Sequence, residues 1–435
     1  MTATPTVEID AERLRLDLEE NGEFGTTERD PPRRWGRTVL AGTSANKAAR
    51  DRLCGRLGDA GFEVTVDAVG NVLGTWTPPS ADPDAAPVVA GSHLDSVPGG
   101  GIFDGPLGVY AALEAIRAMQ AGDVEPDRPV GVVSFTEEEG QRFGEGLLGS
   151  SVAAGDRSVA EARSLSDGGA VTGEETTLGE ALAEIGYDGE GRLDVGEWHA
   201  FLELHVEQDT VLEQAAVESE RDGPGPVGVV TTITGITHVT AELVGEANHA
   251  GATGMEERLD ALAAAAEFVL DVEESARELA DGYSETAVGT VGSIDVEPNA
   301  TNVVPGRATL GVDVRDVEAE STRRILADAE ESLARIETER GVETSMERTL
   351  DVSPTPMSDR LREAADRAGT DAEIETLDLP SGAAHDAMMV ARATDAALLF
   401  APSRNGISHS PREWTDWDDC AAGAAVLAGA LARLA

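Results

Sequence analysis

The 435-residue chain predicts an α/β fold in which a smaller α+β unit interrupts a strand–helix–strand core. Three observations predict it. The apolar runs 87–92 (PVVAGS) and 130–135 read as strands buried in a parallel sheet, with a helical pattern at 107–121 between them. After Glu213 the pattern changes to one of strands and long helices, beginning with the glycine- and proline-rich hinge 221–226 (RDGPGP). The first pattern then resumes, with an apolar strand at 396–400 and an alanine-rich C-terminal helix.

Each element has a local reason. Following Val7, Leu14 and Leu18 lie one turn apart among acids and predict an amphipathic helix. In the next helix, 44–57, Ser44 can cap while Ala49, Leu53 and Leu57 face inward. Strands at 62–66 and 72–75 flank the Gly70-Asn71 turn, and 78–87 is a proline-rich surface loop. Past the hinge come a strand pair (227–233, 237–243), a helix (260–280), strands at 286–291 and 308–314, and a helix at 319–340. One more strand after Gly341 would complete a β-α-β-β-α-β unit.

Acidic residues number 82 against 33 basic, a net charge of −49. Such a surface repels phosphate and anionic lipid, so neither nucleic acid nor a membrane is an expected partner. Only one lysine is present, Lys47, and aromatic residues make up 4%. This composition resembles adaptation to molar salt, where charge repulsion is screened within a few ångströms. Cys54 and Cys420 fit no metal-type spacing and are expected to be free thiols. The N-terminal residues have neither a basic leader nor an apolar core, so a cytoplasmic protein is expected.

Seven histidines stand mostly in loops and at strand ends. His93 leaves the 87–92 strand, and Asp95 could hold its second ring nitrogen; a capping histidine in a polar turn is the plainer alternative. Asp104 precedes a helix, and taken alone such a residue is more often an ordinary N-cap. Glu137, Glu138 and Glu139 follow a buried strand, where like charges call for water or a cation. Glu203, His205 and Glu207 share one strand face, either a site or a solvated edge. His409 follows the 396–400 strand. Together these residues form a mixed N/O donor set for one or two divalent metals.

In order along the chain stand GSHLDSVPGGGIFDG, FTEEEGQRF, ELHVEQ, NHAG, PNATNVVPGR with DVR, GAAHDA and GISHSP. On these motifs the sequence resembles the hydantoinase/carbamoylase branch of the M20-type metallopeptidase and amidase superfamily. The resemblance implies a mixed-sheet, zinc-peptidase-like catalytic domain over 1–222 and 351–435. It also implies a ferredoxin-like lid and dimerisation domain over 223–350. Two divalent metals are implied, zinc first and manganese or cobalt as alternatives, bridged by Asp104. His93 and His409 would serve one metal, Glu139 and His205 the other. Glu138 would be the general base acting on water that the two cations acidify, with a one-residue ambiguity left by Glu137. His249 would polarise the scissile carbonyl, usually across a homodimer. Asn302 and Arg315 would hold the substrate carboxylate, with Arg315 as an ion-pair partner of nearby acids the alternative, and Gln208 and His385 would complete the pocket. The implied substrates are small carboxylate-bearing ureido or amide compounds, with an aminoacylase or dipeptidase as the alternative. The chain departs from the family pattern at Ala252-Thr-Gly-Met255, where Thr-Thr-Pro-Met is common, and at Gly99 or Gly100, where Asn is common.

Overall fold

The computed structural model describes residues 7–122, 124–171, 173–218 and 223–435. A larger unit comprises Met1–Thr231, Met357–Leu379 and Ala384–Ala435, and a smaller one Thr232–Pro356 with Pro380–Ala383.

The larger unit is built on a mixed sheet. Its parallel core runs in the order Val130–Phe135, Val88–His93, Ala200–Val206, Ala396–Ala401, and all four strands are buried along their length. Val72–Trp76 adds antiparallel to one edge and Glu63–Val66 to it in turn. Pro106–Ala121 is the crossover helix after Val88–His93. Thirteen of its residues, Tyr110 and Glu114 among them, are buried, as its apolar sequence requires. From Val88–His93 the chain steps first to Val130–Phe135 on one side and later to Ala200–Val206 on the other. The crevice outside the carboxyl end of Val88–His93 is therefore a topological switch point, the usual place for a site in an open α/β sheet.

Several local readings differ from the sequence expectation. The helix Ser44–Asp59 is capped by Thr43, whose hydroxyl accepts from the Asn46 N–H, so Ser44 is its first helical residue. Val227–Ile233 does not pair with the strand that follows it. It runs antiparallel to Ala396–Ala401, through Val229 opposite Leu399 and Gly228 opposite Phe400. It extends the large sheet, so the smaller unit begins at Thr232 rather than at 223. Of the expected hinge 221–226, residues 221 and 222 lie outside the described residues. A hairpin of Thr26–Asp30 and Arg34–Arg37 has no apolar alternation to announce it; its end is fixed by a bridge from Arg37 to Gly100.

In the smaller unit the strands Gly235–Val244, Val288–Glu297, Arg307–Asp316 and Glu343–Val352 alternate with helices Ala261–Gly282 and Ala319–Arg340 in β-α-β-β-α-β order. All neighbours are antiparallel, in the spatial order second, third, first, fourth. Asp260 caps the first helix through the Ala263 N–H, and Gly341 ends the second in a left-handed conformation. Phe268, Val272, Leu310, Ile325 and Ile336 anchor a core separate from that of the larger unit. Among the described residues no helix is long and apolar enough to cross a membrane. Cys54 and Cys420 are both free.

Candidate metal centre

The carboxyl ends of the four parallel strands and the loops after them bring His93, His205 and His409 together with Asp104, Glu138 and Glu139. His93 ends its strand with its side chain buried, and its Nδ1–H donates to the main-chain carbonyl of Asp95 at 3.1 Å. The expectation that the Asp95 carboxylate takes this role is corrected, since Asp95 Oδ1 lies farther off at 3.8 Å. A carbonyl only accepts, so it fixes the tautomer equally well and leaves Nε2 free as a ligand. His205 is arranged alike. Its Nδ1 lies 3.4 Å from the Val206 carbonyl, and its Nε2 lies 3.5 Å from His93 Nε2.

Asp104 lies between two groups. Its Oδ1 is 3.2 Å from His205 Nε2 and 3.9 Å from His93 Nε2. Its Oδ2 is 3.4 Å from His409 Nε2, which is itself 3.4 Å from Glu139 Oε2. Ligand-type atoms of His93, Asp104 and His205 therefore form one group and those of Asp104, Glu139 and His409 another, each within 4.8 Å. The expected partition, His93 with His409 and His205 with Glu139, gives way to this one because His93 and His205 both face Oδ1 of Asp104 while His409 faces Oδ2. Asp104 is not a helix cap either. That position is Gly105, at φ 81° and ψ −63°, with no side-chain capping bond.

The three glutamates separate by backbone conformation. Glu137 sits at φ 55° and turns its carboxylate back into its own loop, where Oε1 accepts from the N–H groups of Arg142 and Phe143 at 2.6 and 2.8 Å. Glu138 Oε2 faces His93 Nε2 at 3.6 Å, and Glu139 faces His409. Asp95 Oδ2 accepts the Glu139 N–H at 3.2 Å, so one residue supports both His93 and the glutamate loop. On the strand Ala200–Val206 and just past it, Glu203, His205 and Glu207 are all buried, which excludes a solvated edge. Glu207 is no ligand candidate, because it accepts from Val211 and Leu212 at the start of the next helix.

Burial, then the charges of Asp104 and Asp95, push the Glu139 carboxyl up to about 10, and burial with Glu139 and Asp386 raises Glu138 well above its ordinary value. Burial lowers His93, and burial with His205 lowers His385 well below the usual imidazole range. Burial and mutual repulsion thus disfavour the charged forms of Glu138 and Glu139, and a cation nearby would relieve both. Three imidazoles and three carboxylates (with Glu138) suit Zn2+, Mn2+ or Co2+, so the donor set fits the implied pair of divalent cations.

Other expected residues lie around this centre or in the smaller unit. Gln208 is half-buried just past the Ala200–Val206 strand. His385 is buried edge-on to His205, with ring centroids 4.5 Å apart, and neither ring nitrogen has a hydrogen-bond partner among the described residues. The smaller unit brings His249 and Asn302 together. A short ladder pairs Asn248 with Val304 and His249 with Val303, and the Ala250 N–H donates to the Asn302 carbonyl at 2.9 Å. Arg315 is held by Asp313 through Nε and Nη2 at 2.9 and 3.0 Å, the ion pair its sequence context allowed, while Nη1 donates to the Gly382 carbonyl at 3.2 Å. Sequence reasoning missed the support beneath the site. Glu203 accepts from the Ser92 hydroxyl at 2.7 Å and the Ala387 N–H at 2.8 Å, joining three segments remote in sequence. The alternation of Glu203, His205 and Glu207 along the strand was the one available signal.

The profile of peptidase family M20/M25/M40 matches residues 89–433. N-carbamoyl-L-amino acid amidohydrolase of Geobacillus stearothermophilus is 39% identical over 426 residues, 96% of this chain and 97% of that protein. Allantoate amidohydrolase of Bacillus subtilis (strain 168) is 34% identical over 379 residues, 86% of this chain and 87% of that protein. The crystal structure of an amidase of the hydantoinase/carbamoylase family from Burkholderia multivorans superposes with a TM-score of 0.87 at 35% identity, covering 99% of this chain and 98% of that one. With His93, Asp104, Glu139, His205 and His409 all inside the matched region, the chain belongs to peptidase family M20/M25/M40.

Proposed function

We propose that the protein is a metal-dependent amidohydrolase, a hydrolase of C–N bonds other than peptide bonds, cleaving the carbamoyl (ureido) bond of N-carbamoyl-L-amino acids or related ureido acids. The observation that carries this reading is Asp104, whose two oxygens face two separate sets of ligand atoms, His93 with His205 and His409 with Glu139. The names borne by the amidohydrolase relatives support the substrate class.

Those five residues would hold two divalent cations, Zn2+ in the first instance, with Mn2+ and Co2+ as alternatives. When bound, such a pair supplies Lewis acidity that lowers the pKa of a shared water. Glu138 takes a proton from the attacking water and returns it to the departing nitrogen, a role worth roughly 10²–10⁴ in rate. Asp95 orients His93 through its carbonyl and the Glu139 loop through its carboxylate. His249 donates from Nε2 to the scissile carbonyl; the Gly251 N–H already occupies Nδ1 at 3.0 Å, which leaves Nε2 as the nitrogen that can donate. In the smaller unit Arg315, oriented by Asp313, and Asn302 would serve the substrate carboxylate, and in the larger unit Gln208 and His385 would serve substrate binding. Water plus an N-carbamoyl amino acid gives the amino acid, CO2 and ammonia. A homodimer through the smaller unit and a cytoplasmic, high-salt setting belong to the same proposal.

The peptidase name of the family favours one second reading, an aminoacylase or dipeptidase on this scaffold. A substrate panel with added Zn2+, Mn2+ or Co2+ separates them. Ammonia release from N-carbamoyl-L-amino acids, allantoate or β-ureidopropionate supports the ureido reading. Amine release from N-acetyl amino acids or dipeptides alone would replace it.

A further inference from the structure

One buried carboxylate near the centre touches no ligand atom directly yet contacts both loops that carry Asp104 and His409. Glu413 is 1% exposed. Its Oε1 accepts two main-chain N–H groups, from Phe103 at 2.9 Å and from Asp104 at 3.0 Å, across a separation of 309 residues to the latter. Its Oε2 lies 3.3 Å from the Ser408 hydroxyl, and that hydroxyl also bonds Asp104 Oδ2, the oxygen that faces His409. The loop around it leaves no slack. A Cβ at Gly101 would stand 2.2 Å from Glu413 Oε1, and the Glu413 N–H is tied to the Ser410 carbonyl at 3.0 Å. On the far side the Trp35 N–H donates to the Pro411 carbonyl at 2.7 Å. The fully buried Arg37 has no ion pair among the described residues, and Glu413 is the foremost of the negative charges that favour its charged form.

We propose that Glu413 is a positioning residue that sets the plane of the Asp104 carboxylate and ties its loop to the loop bearing His409, so that both cations are held at once. The proposal rests on the two-cation reading of the site. Its physical basis is tolerance: ligand distances in a metal site hold within about 0.2 Å, whereas two loops without a shared clamp drift by more. Glu413 fixes the main chain of Asp104 through the two amide bonds and fixes Oδ2 through Ser408, whose neighbour is His409.

The test is titration of the metal-free, full-length protein with Co2+, read by calorimetry and by the visible absorption of the bound ion, beside thermal melts of the same metal-free samples. Glu413→Ala removes the clamp, and Glu413→Asp keeps charge and most volume but is too short to reach both loops. Both are expected to weaken Co2+ binding at least about tenfold, the loss usual when a residue supporting a ligand is removed. Glu413→Gln still offers a carbonyl oxygen to both N–H groups and is expected to stay within about threefold of the parent. If Glu413→Ala does not fold, Glu413→Asp decides. Variants that lose melting temperature but bind two Co2+ ions as tightly as the parent overturn the proposal, since Glu413 would then be a staple of the fold alone. Failure of the parent itself to bind two ions would instead overturn the two-cation reading.

Discussion

Gly105→Ala probes how closely the main chain is fitted to a ligand. Gly105 has φ 81° and ψ −63°, a tight-turn conformation that L residues adopt only under strain, at a cost on the order of 1–3 kcal/mol. A Cβ there would also stand 2.4 Å from His93 Cε1 and 2.7 Å from His93 Nε2. Ordinary contact between carbon atoms is roughly 3.5–4.0 Å, so the imidazole must retreat by about 1 Å. That is several times the roughly 0.2 Å a metal–ligand distance tolerates. The expected outcome is therefore two losses, a destabilised metal-free protein and at least about tenfold weaker cation binding. Gly99→Ala is the control: its φ is also positive, at 69°, but nothing lies within 4 Å of the added Cβ. It is expected to cost about 1 kcal/mol of backbone strain and to leave cation binding intact. Denaturant unfolding of metal-free protein and Co2+ titration separate the two effects. Equal cation binding by Gly105→Ala and the parent would refute the reasoning, as would an equal loss from Gly99→Ala.

Three further predictions follow from the same geometry. Glu138→Gln should lower kcat by about 10²–10⁴ while metal analysis still finds two bound cations; near-normal turnover would remove Glu138 as the base. With a net charge of −49, the melting temperature should rise as KCl goes from millimolar to molar and the screening length falls from tens of ångströms to about 3 Å; equal melts contradict this. Burial, opposed by the Gly225 N–H and aided by Asp416 and Asp418, pushes the Asp419 carboxyl up to about 6 from its ordinary 3.8. Between those values the unfolded chain gives up its proton first, so Asp419 costs stability as pH rises through this window and a constant amount above it. Asp419→Asn should therefore gain on the parent between about pH 4 and about pH 6 in thermal melts and keep a constant advantage above that, and a flat difference throughout would show that Asp419 does not titrate this way.

What could be read from the sequence divides along physical lines. Largely apolar strands such as Val130–Phe135, and a helix such as Ala319–Arg340 with a glycine just beyond it, are local signals and fall where they were expected. Val227–Ile233 misled because its partner, Ala396–Ala401, is remote in sequence while Gly235–Val244 follows it directly. The residue types of the site were legible from their motifs. Their partition was not, because it depends on which oxygen of Asp104 each imidazole faces. The run of three glutamates could not be resolved until the positive φ of Glu137 turned that side chain away from its neighbours. Asp95 was noticed for its carboxylate, yet its carbonyl holds His93, and a main-chain acceptor leaves no mark on composition. Glu413 lies just past the GISHSP motif, where the sequence gives no sign of its role. Its contacts with Phe103 and Asp104 exist only once the first and last thirds of the chain meet.

The most direct measurement is stepwise addition of Zn2+ or Mn2+ to the metal-free protein, with ammonia release from an N-carbamoyl-L-amino acid followed at each step. The account predicts little release at the start and a rise that levels off at two equivalents, with Asp104→Ala failing to reach that plateau. Full activity without added metal, or no ammonia at any loading, would contradict it.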